Sequence, residues 1–374
     1  QRMLLVKSSR EKMSDFCKIM MPDPEDPEDV TKTEYQDAGH SRMLCDIVQN
    51  IEAGISKRSA VAIPPQHGKP VEENQLVLMG SGERKKLKDI KVGDNVITKY
   101  GRAKKVLAVF KQGELDCVEL KTKSGRKVKA ALDHPMLTPQ GWINAGDIKV
   151  GMSLAHVLPE IKKNKNFTHE YFEARLIGYF IGDGSCSKNK HTIGATITVI
   201  DDIELQDIVN CCKIINFSYK INNPYNRAKN ISISGGVREW LRDVGLAGSV
   251  SSTKRIPKKI FTSSIDIIAN VIGAYFSCDG SINKRGNDRN GKERKDICAE
   301  FYSISEGLID DIQHLLLRFG IQSTKGIKSG KYNNKIHKSF RLSLTGQDNV
   351  IKFSKVIPIY HSKFDNFKDW GIYK

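Results

Sequence analysis

The sequence predicts an α+β protein of several domains, in which an all-β module precedes a mixed unit built from two repeats. Three observations support this prediction. Short apolar runs separated by turns fill residues 70–165, a doubled Asp-Gly-Ser motif follows apolar segments in residues 166–360, and the charge balance changes after Lys69. A chain of 374 residues is long enough for two or three domains. We expect a short α/β segment over residues 1–69 and a tail over residues 361–374 around these two units.

The all-β prediction rests on five strand-like runs in the first unit. Turn signals such as Gly93-Asp94 and Ser124-Gly125 separate them. Dense short strands with regular turns are typical of all-β modules. The predicted strands are Leu76–Met79, Asn95–Lys99, Lys104–Phe110, Cys117–Thr122 and Lys127–Ala131.

The doubled motif predicts two helices that pack against each other. "LIGYFIGDGS", which ends at Ser185, recurs as "IGAYFSCDGS", which ends at Ser281. Small side chains on one face of a helix allow two helix backbones to approach closely. We therefore expect the two helices to bring Asp183 and Asp279 side by side at their C-terminal ends. The small residues that recur four positions apart are Gly178 and Gly182 in the first helix and Ala274 and Cys278 in the second.

The paired carboxylates predict a metal site. Two like charges in an otherwise apolar contact repel each other unless a cation lies between them. Carboxylates that hold Mg²⁺ and position water are a recurring arrangement for phosphodiester cleavage. Asp183 and Asp279 are therefore candidate metal ligands and catalytic residues. The alternative is a duplicated packing helix with aspartate caps, although a carboxylate at a helix C-terminus opposes the helix dipole.

The charge distribution predicts a nucleic-acid partner. The formal net charge of the chain is +17. Residues 1–69 carry 10 Lys/Arg and 11 Asp/Glu, so the whole excess of +18 lies beyond Lys69. A phosphate backbone is the expected partner for such a density of positive charge, and a solvated basic surface is the alternative. The eight cysteines show no CxxC spacing. This pattern favours a reducing cytosol and argues against a zinc site.

The end of residues 1–69 predicts an interrupted phosphate-binding loop, with a proline-rich turn and a surface lysine as the alternative. Ser41 can begin a helix that ends at Gly54, and the apolar run Ala60–Ile63 leads into "PPQHGK". The stretch "HSRMLCDIVQNIEAGISKRSAVAIPPQHGK" resembles the start of the ATPase domain of phage terminase large subunits. That resemblance implies that Lys69 contacts ATP phosphates. A P-loop requires Ser or Thr after this lysine, whereas Pro70 follows here.

The β-rich unit resembles the Hint fold of inteins, which are self-splicing insertions. The resemblance lies in "KKLKDIKVGDNVIT" and "LDHPMLTPQGWINAGDIKVGMSL", within blocks at Pro70–Thr98 and Gly125–Leu154. It implies that His134 strains and protonates the scissile amide, while an ordinary loop histidine is the alternative. An intein after Lys69 would separate this lysine from its Ser/Thr, so Lys69 would bind nucleotide only after splicing.

Several positions predict that the chain itself does not splice. Pro70 carries no nucleophile for an acyl shift, and Ala131 stands where inteins have a threonine. None of the nine histidines precedes an asparagine, although inteins normally close with a His-Asn pair. We therefore expect that the chain is truncated or that a separate chain supplies the end.

The two repeats resemble single-chain LAGLIDADG (DOD-type) homing endonucleases. The resemblance implies two αββαββα repeats, at about 166–262 and 263–360, in a monomer with pseudo-twofold symmetry. It implies Mg²⁺-dependent cleavage of a long double-stranded DNA site in the intein-free terminase gene. Within "STKRIPKKIF" it assigns Lys254 to the active centre, with phosphate binding as the alternative role. The basic loop Asn283–Asp296 is predicted to contact DNA, with a disordered, solvated loop as the alternative. The predicted strands are Thr192–Ile200, Asn230–Ser234, Ile297–Ser303, Ser323–Ile327 and Ser339–Thr345.

These resemblances predict an endonuclease within an intein of a phage or prophage protein in a bacterial cytoplasm. The competing hypothesis is a DNA-packaging ATPase fragment whose insertion binds DNA without cutting it. Loss of either aspartate would favour that hypothesis, and both are present.

Overall fold

A computed structural model describes residues 71–109, 113–157, 168–186, 194–225, 228–284, 297–332, 335–344, 346–362 and 364. The predicted helix from Ser41, the run Ala60–Ile63, and both Lys69 and Pro70 lie outside these residues. Among the helices of the described ranges, none is long and apolar enough to span a bilayer.

The first unit consists of four antiparallel strand pairs. Within residues 71–109 and 113–157, these are accompanied by two short 3-10 turns, Leu87–Asp89 and Ala145–Asp147. Bridges from Val71 to Ala130 and from Met79 to Val96 connect the pairs. The strands, paired in sequence order, are β1 Leu76–Leu78, β2 Arg84–Lys86, β3 Asn95–Ile97, β4 Ala103–Lys105, β5 Cys117–Lys121, β6 Lys127–Ala131, β7 Pro135–Thr138 and β8 Gly141–Asn144. We call residues 71–157 the β-module.

The predicted strands of the β-module are confirmed in position, with one substantial correction. The strand predicted over Lys104–Phe110 ends at Lys105. Leu107 and Val109 remain 68% and 49% exposed, so no buried face holds the chain in a regular strand there. The predicted turns at Gly93-Asp94 and Ser124-Gly125 are confirmed, since Gly93 and Gly125 both adopt positive φ angles that suit glycine.

The second unit contains two repeats with the same order of elements. The first comprises α1 Thr168–Gly182, β9 Gly184–Ser185, β10 Ala195–Val199, α2 Asp202–Ile215, β11 Ser218–Tyr225, β12 Ala228–Ser234 and α3 Val237–Val244. A short helix, α4 Lys258–Thr262, leads into the second. That repeat comprises α5 Ile265–Asp279, β13 Gly280–Lys284, β14 Ile297–Ser303, α6 Glu306–Leu317, β15 Ser323–Tyr332, β16 Lys335–Leu344 and α7 Gln347–Val356.

The sheets of the two repeats have the same topology. The first has the order β11-β12-β10-β9 and the second the corresponding order β15-β16-β14-β13, with antiparallel neighbours throughout. The αββαββα order expected of each repeat is therefore present. Strands β15 and β16 are longer than the predicted runs from Ser323 and Ser339, because polar and charged residues extend this hairpin beyond its apolar part. Asn283 and Lys284 of the predicted basic loop belong to β13, and residues 285–296 lie outside the described ranges.

The core of the second unit lies between the helices and one face of each sheet. Residues of α1 and α5 supply much of it, including the buried Tyr179 and Tyr275. In the second repeat, Phe276 packs edge-on against Phe301 and Phe353, with ring centroids 4.8 and 4.9 Å away. Aromatic pairs in this geometry add to the stabilisation from burial. This packing holds the end of α5 in a defined position.

Candidate active site

Helices α1 and α5 pack with their backbones almost in contact. A Cβ atom on Gly178 would lie 2.5 Å from the carbonyl oxygen of Val271 and 2.7 Å from the Cβ atom of Ala274. A Cβ atom on Gly182 would lie 2.4 Å from the Cβ atom of Cys278. The predicted seam of small residues is therefore confirmed, and we call this contact the helix seam.

Asp183 and Asp279 emerge at the end of the helix seam. Asp279 is the last residue of α5, Asp183 directly follows α1, and both are exposed. A glycine comes next in each repeat, and a Cβ atom there would collide with the preceding helical turn. The hypothetical distances are 2.5 Å from Gly184 to the Cα atom of Phe180 and 2.3 Å from Gly280 to the carbonyl oxygen of Phe276. The Asp-Gly sequence thus lets the chain turn sharply and leaves each carboxylate facing solvent.

Lys254 lies beneath this turn. The residue is only 6% exposed, and its Nζ atom donates to the carbonyl oxygens of Gly182 at 3.0 Å and Gly184 at 2.9 Å. These two carbonyls flank Asp183. Burial lowers the pKa of Lys254, while the negative charges of Asp279 and Asp183 act in the opposite direction. Lys254 therefore belongs to the same site as the two aspartates.

Glu204 is a further acidic residue of this site. It is 3% exposed, and its Oε1 atom accepts a hydrogen bond from the Sγ atom of Cys278 at 3.2 Å. Ligand atoms of Asp183, Glu204 and Cys278 all lie within 4.8 Å of one another. Burial, and then the nearby Glu204 and Asp183 carboxylates, hold the pKa of the Cys278 thiol well above its ordinary value. The cysteine is therefore a neutral neighbour of two carboxylates.

Glu204 was not predicted from the sequence, because its local sequence pattern indicates only a helix start. Asp201 is the N-cap of α2 and accepts from the backbone N–H of Glu204 at 3.0 Å. An acidic residue three positions after such a cap is typical of a helix start, whatever its side chain contacts. Only the packing of α2 against the helix seam reveals that Glu204 faces Cys278. A buried carboxylate within reach of Asp183 fits the oxygen ligands that Mg²⁺ prefers.

His134 belongs to a different part of the molecule. It lies between β6 and β7, is half-buried, and has its backbone fixed within the β-module. Its N–H donates to the carbonyl of Ala131 at 2.9 Å, and its carbonyl accepts from the N–H of Ala145 at 2.7 Å. The structure thus groups Asp183, Asp279 and Lys254 at the helix seam and leaves His134 in the β-module. Lys69 lies outside the described residues.

Several curated proteins with different names are similar to this chain. The replicative DNA helicase DnaB of Rhodothermus marinus is 28% identical over 268 residues, which cover 68% of this chain and 27% of the relative. The replication factor C small subunit of Methanocaldococcus jannaschii is 28% identical, with 66% and 13% covered. Protein RecA of Mycobacterium tuberculosis is 27% identical, with 69% and 34% covered. The chain therefore spans about a third or less of the length of these relatives.

Solved structures are similar to this chain at low identity. A mesophilic variant of the homing endonuclease I-DmoI is 13% identical, with a TM-score of 0.37, and the likeness covers 50% of this chain and 96% of that one. A second I-DmoI structure, in complex with its target DNA in the presence of Mg, has the same TM-score, with coverages of 51% and 98% and an identity of 13%. The gp41-1 intein is 24% identical over 23% of this chain and 66% of that one, with a TM-score of 0.21.

A family model matches one of the two repeats. The match begins at residue 266, the second residue of α5, and ends at residue 358, two residues after the end of α7. It therefore contains Asp279 and the whole second sheet. Residues 266–358 match the family model described as a LAGLIDADG-like domain.

Proposed function

We propose that the second unit is a site-specific endonuclease that makes a Mg²⁺-dependent double-strand cut in DNA. The observation that carries this proposal is the pair of exposed carboxylates, Asp183 and Asp279, at the ends of two helices whose backbones nearly touch. Each comes from one of two repeats with the same topology, which suits a target with two strands. The match of residues 266–358 to the LAGLIDADG-like domain supports the same function.

Asp183 and Asp279 are the proposed metal ligands, and Glu204 increases the negative potential beside Asp183. A bound Mg²⁺ supplies the charge that phosphodiester hydrolysis requires at the scissile phosphate. Lys254 has two tasks in this proposal. Its hydrogen bonds to Gly182 and Gly184 fix the turn that presents Asp183, and its positive charge reduces the repulsion between the two aspartates.

The outer faces of the sheets are the proposed DNA-contacting surface. In the first sheet, Thr196 pairs with Ser232 and Thr198 with Asn230, so polar side chains line that face. In the second sheet, Tyr302 pairs with Arg341. Two-stranded ribbons of this kind fit the major groove of DNA, and hydroxyl, amide and guanidinium groups can hydrogen-bond to base edges there. The excess of positive charge beyond Lys69 provides the attraction to phosphate.

We further propose that the endonuclease belongs to an intein inserted after Lys69 of a terminase large subunit. The matches to a helicase, a replication factor and RecA each cover 66–69% of this chain. Residues 1–69 are less than a fifth of it, so most of each match lies beyond Lys69. A segment shared by proteins of different names, and covering a minor part of each, is what an insertion would produce. In this proposal residues 70–165 are the splicing region, with His134 at its active centre and Lys69 available to nucleotide only after splicing.

Replacement of each aspartate by asparagine tests the endonuclease. Asp183→Asn and Asp279→Asn keep the side-chain size but remove the charge that holds Mg²⁺. Loss of one oriented catalytic interaction typically lowers the rate by about 10²–10³. We expect that loss for each variant in the linearisation of a plasmid carrying the intein-free terminase sequence around the Lys69 codon. DNA affinity should stay near wild type, because basic residues provide most of it.

Asp202→Asn is the matched control, because Asp202 is an exposed aspartate at the start of α2 whose carboxylate pairs with Lys229. It should cut at the wild-type rate. Folded Asp183→Asn and Asp279→Asn variants that also cut at the wild-type rate would contradict the assignment. A wild-type chain that binds the site tightly but never cuts it with Mg²⁺ would instead support the DNA-binding-only hypothesis.

A further inference from the structure

A buried carboxylate lies where the β-module meets the second repeat. The side chain of Asp311, in α6, is 2% exposed. It accepts from the Nη2 atom of Arg84 at 2.6 Å, and from the Nε and Nη2 atoms of Arg255 at 2.7 and 2.8 Å. The backbone N–H of Ile256 also donates to it at 3.3 Å. Arg84 comes from β2 of the β-module, so Asp311 joins the two units.

The surrounding contacts make this junction a close-packed interface. A Cβ atom on Gly82 would lie 2.3 Å from the carbonyl oxygen of Phe261, so the β2 turn rests directly on α4. The carbonyl of Gly82 accepts from Nε2 of His314 at 3.2 Å. A second turn of the β-module also docks, since the carbonyl of Ser124 accepts from the Nε2 atom of Gln313 at 3.0 Å. Two separate turns of the β-module therefore contact α6.

The first repeat has an equivalent aspartate with a different partner. Glu204 and Leu308 each donate their backbone N–H to the N-cap side chain of their helix, so α2 and α6 align there. In that alignment Asp207 corresponds to Asp311. Asp207 pairs with Arg175 of α1 at 2.6 Å, a partner within its own repeat. The corresponding residue of α5 is Val271, so the second repeat lacks an arginine at that position.

Asp311 also fixes the segment that carries Lys254. Arg255 and Ile256, which donate to Asp311, are the two residues after Lys254. The carbonyl of Lys254 itself accepts from the hydroxyl of Ser305, the N-cap of α6, at 2.8 Å. A continuous series of contacts thus runs from Arg84 through Asp311 to Lys254, and from Lys254 Nζ to the carbonyls that flank Asp183.

We propose that Arg84 is a positioning residue for the endonuclease, so that the β-module completes the active site of the second unit. A buried carboxylate is stable in its charged form only when cations and N–H donors surround it. Without Arg84, Asp311 would draw Arg255 and the Ile256 N–H into a new arrangement or admit water. Either change displaces Lys254. This inference rests on the proposed endonuclease function, and it assigns the β-module a role in cleavage.

Hydrogen exchange tests the series of contacts without requiring cleavage. Arg84→Gln removes the charge but keeps much of the side-chain length, and Arg84→Lys restores a cation that can reach one carboxylate oxygen. We expect the Ile256 amide to exchange about tenfold faster in Arg84→Gln and to return towards wild type in Arg84→Lys. Lys85→Ala is the matched control, because Lys85 pairs with Asp94 at 2.7 Å inside the β-module. It should leave the Ile256 amide unchanged.

Steady-state cleavage tests the consequence for the site. We expect Arg84→Gln to lower kcat about tenfold with an unchanged KM for DNA, and Arg84→Lys to retain at least half of the wild-type kcat. Wild-type exchange and kcat in folded Arg84→Gln would overturn the inference while leaving the endonuclease assignment intact. An Arg84→Lys variant as impaired as Arg84→Gln would also overturn it, because charge would then not be the cause. If Arg84→Gln does not fold, Arg84→Met replaces it, because methionine also lacks the charge, and wild-type exchange and kcat in folded Arg84→Met would overturn the inference. Failure of the endonuclease itself is recognised separately, by unaltered cleavage in Asp183→Asn.

Discussion

The two repeats have the same topology but contribute different chemistry to the helix seam. Helices α2 and α6 correspond to each other, and their third residues are the buried Glu204 in the first repeat and the buried Leu308 in the second. The sequence Lys254-Arg255-Ile256-Pro257 has a counterpart in Lys355-Val356-Ile357-Pro358. Lys254 is buried against the turn at Asp183, whereas Lys355 is exposed.

A symmetric backbone therefore carries an asymmetric site. Helix packing requires small residues on both sides of the helix seam, so the duplicated fold retains them in both repeats. The charged groups around the aspartates have no such requirement. Glu204 and Lys254 both come from the first repeat, so Asp183 lies in a more crowded electrostatic environment than the repeat symmetry alone implies. The comparison predicts that equivalent substitutions in the two repeats have unequal effects.

The largest difference in cleavage rate is expected between variants of the two corresponding lysines, Lys254 and Lys355. Lys254→Met keeps an unbranched side chain in the buried position but removes the charge and both hydrogen bonds to the Asp183 turn. We expect cleavage to fall by about 10²-fold, as for removal of one oriented catalytic group. Lys355→Met changes an exposed residue and should leave the rate within twofold of wild type. Single-turnover cleavage with saturating protein measures both rates.

If Lys254 had only a structural role, another outcome would be expected. In that case Lys254→Met would lower the melting temperature without a separate loss of rate in the folded fraction. Circular dichroism at the assay temperature distinguishes the two, and equal rates for folded Lys254→Met and wild type would contradict the catalytic role.

A smaller difference, in the pH dependence of stability, concerns the interface between the second repeat and the β-module. Burial lowers the pKa of His314 to about 4, and the neighbouring Arg84, Arg318 and Arg126 add to this effect against the hydrogen bond to Gly82. The unfolded chain binds this proton at about pH 6.5. Because only the unfolded state is protonated between these values, stability should fall as the pH decreases from 6.5 to 4, by at most about 3 kcal/mol from this residue.

His314→Asn introduces the residue that the first repeat has at the corresponding position, Asn210. This variant should lose less stability than wild type over the same pH interval. Urea unfolding at pH 7 and pH 4.5 gives the two free-energy differences. Identical pH dependence in both proteins would show that His314 does not remain neutral at the interface.

The sequence predicted the parts of this molecule that repeat or alternate. The doubled motif placed Asp183 and Asp279 at the ends of two packed helices, and the structure agrees. Strand-like runs bounded by turns located β6 and β14 with their observed bounds. The local sequence pattern did not predict β2, because its three residues are all basic and no apolar residue indicates a strand. These residues pair with β1 as an antiparallel strand. The pattern also did not predict β7, which begins with a proline.

Long-range contacts account for the other omissions. Glu204 reaches Cys278 across 74 positions of sequence, and Arg84 reaches Asp311 across 227. The local sequences of α2 and β2 contain no motif that marks Glu204 or Arg84 as a residue with a distant partner. Such partners depend on how separate units pack, and a single sequence carries no local signal for that packing. The positions of the candidate ligands were therefore predictable from the doubled motif, and Lys254 from the resemblance, whereas Glu204 and Arg84 were not.

The smallest predicted difference, in the salt dependence of DNA binding, concerns the outer faces of the two sheets. In the second, Lys328 lies with its Nζ atom 4.8 Å from the ring centroid of Tyr302, and the side chain is exposed. In the first, the exposed Thr198 donates to the amide oxygen of Asn230 at 3.0 Å and carries no charge.

If both faces contact DNA, Lys328 neutralises a phosphate and Thr198 does not. Lys328→Ala should therefore weaken binding a few-fold for every sequence and reduce the slope of log K against log salt by about 1. Thr198→Ala should leave that slope unchanged and alter only the preference at one base pair. Fluorescence anisotropy over a salt series measures both slopes, and equal slopes for Lys328→Ala and wild type would mean that this part of the second sheet does not contact the DNA backbone.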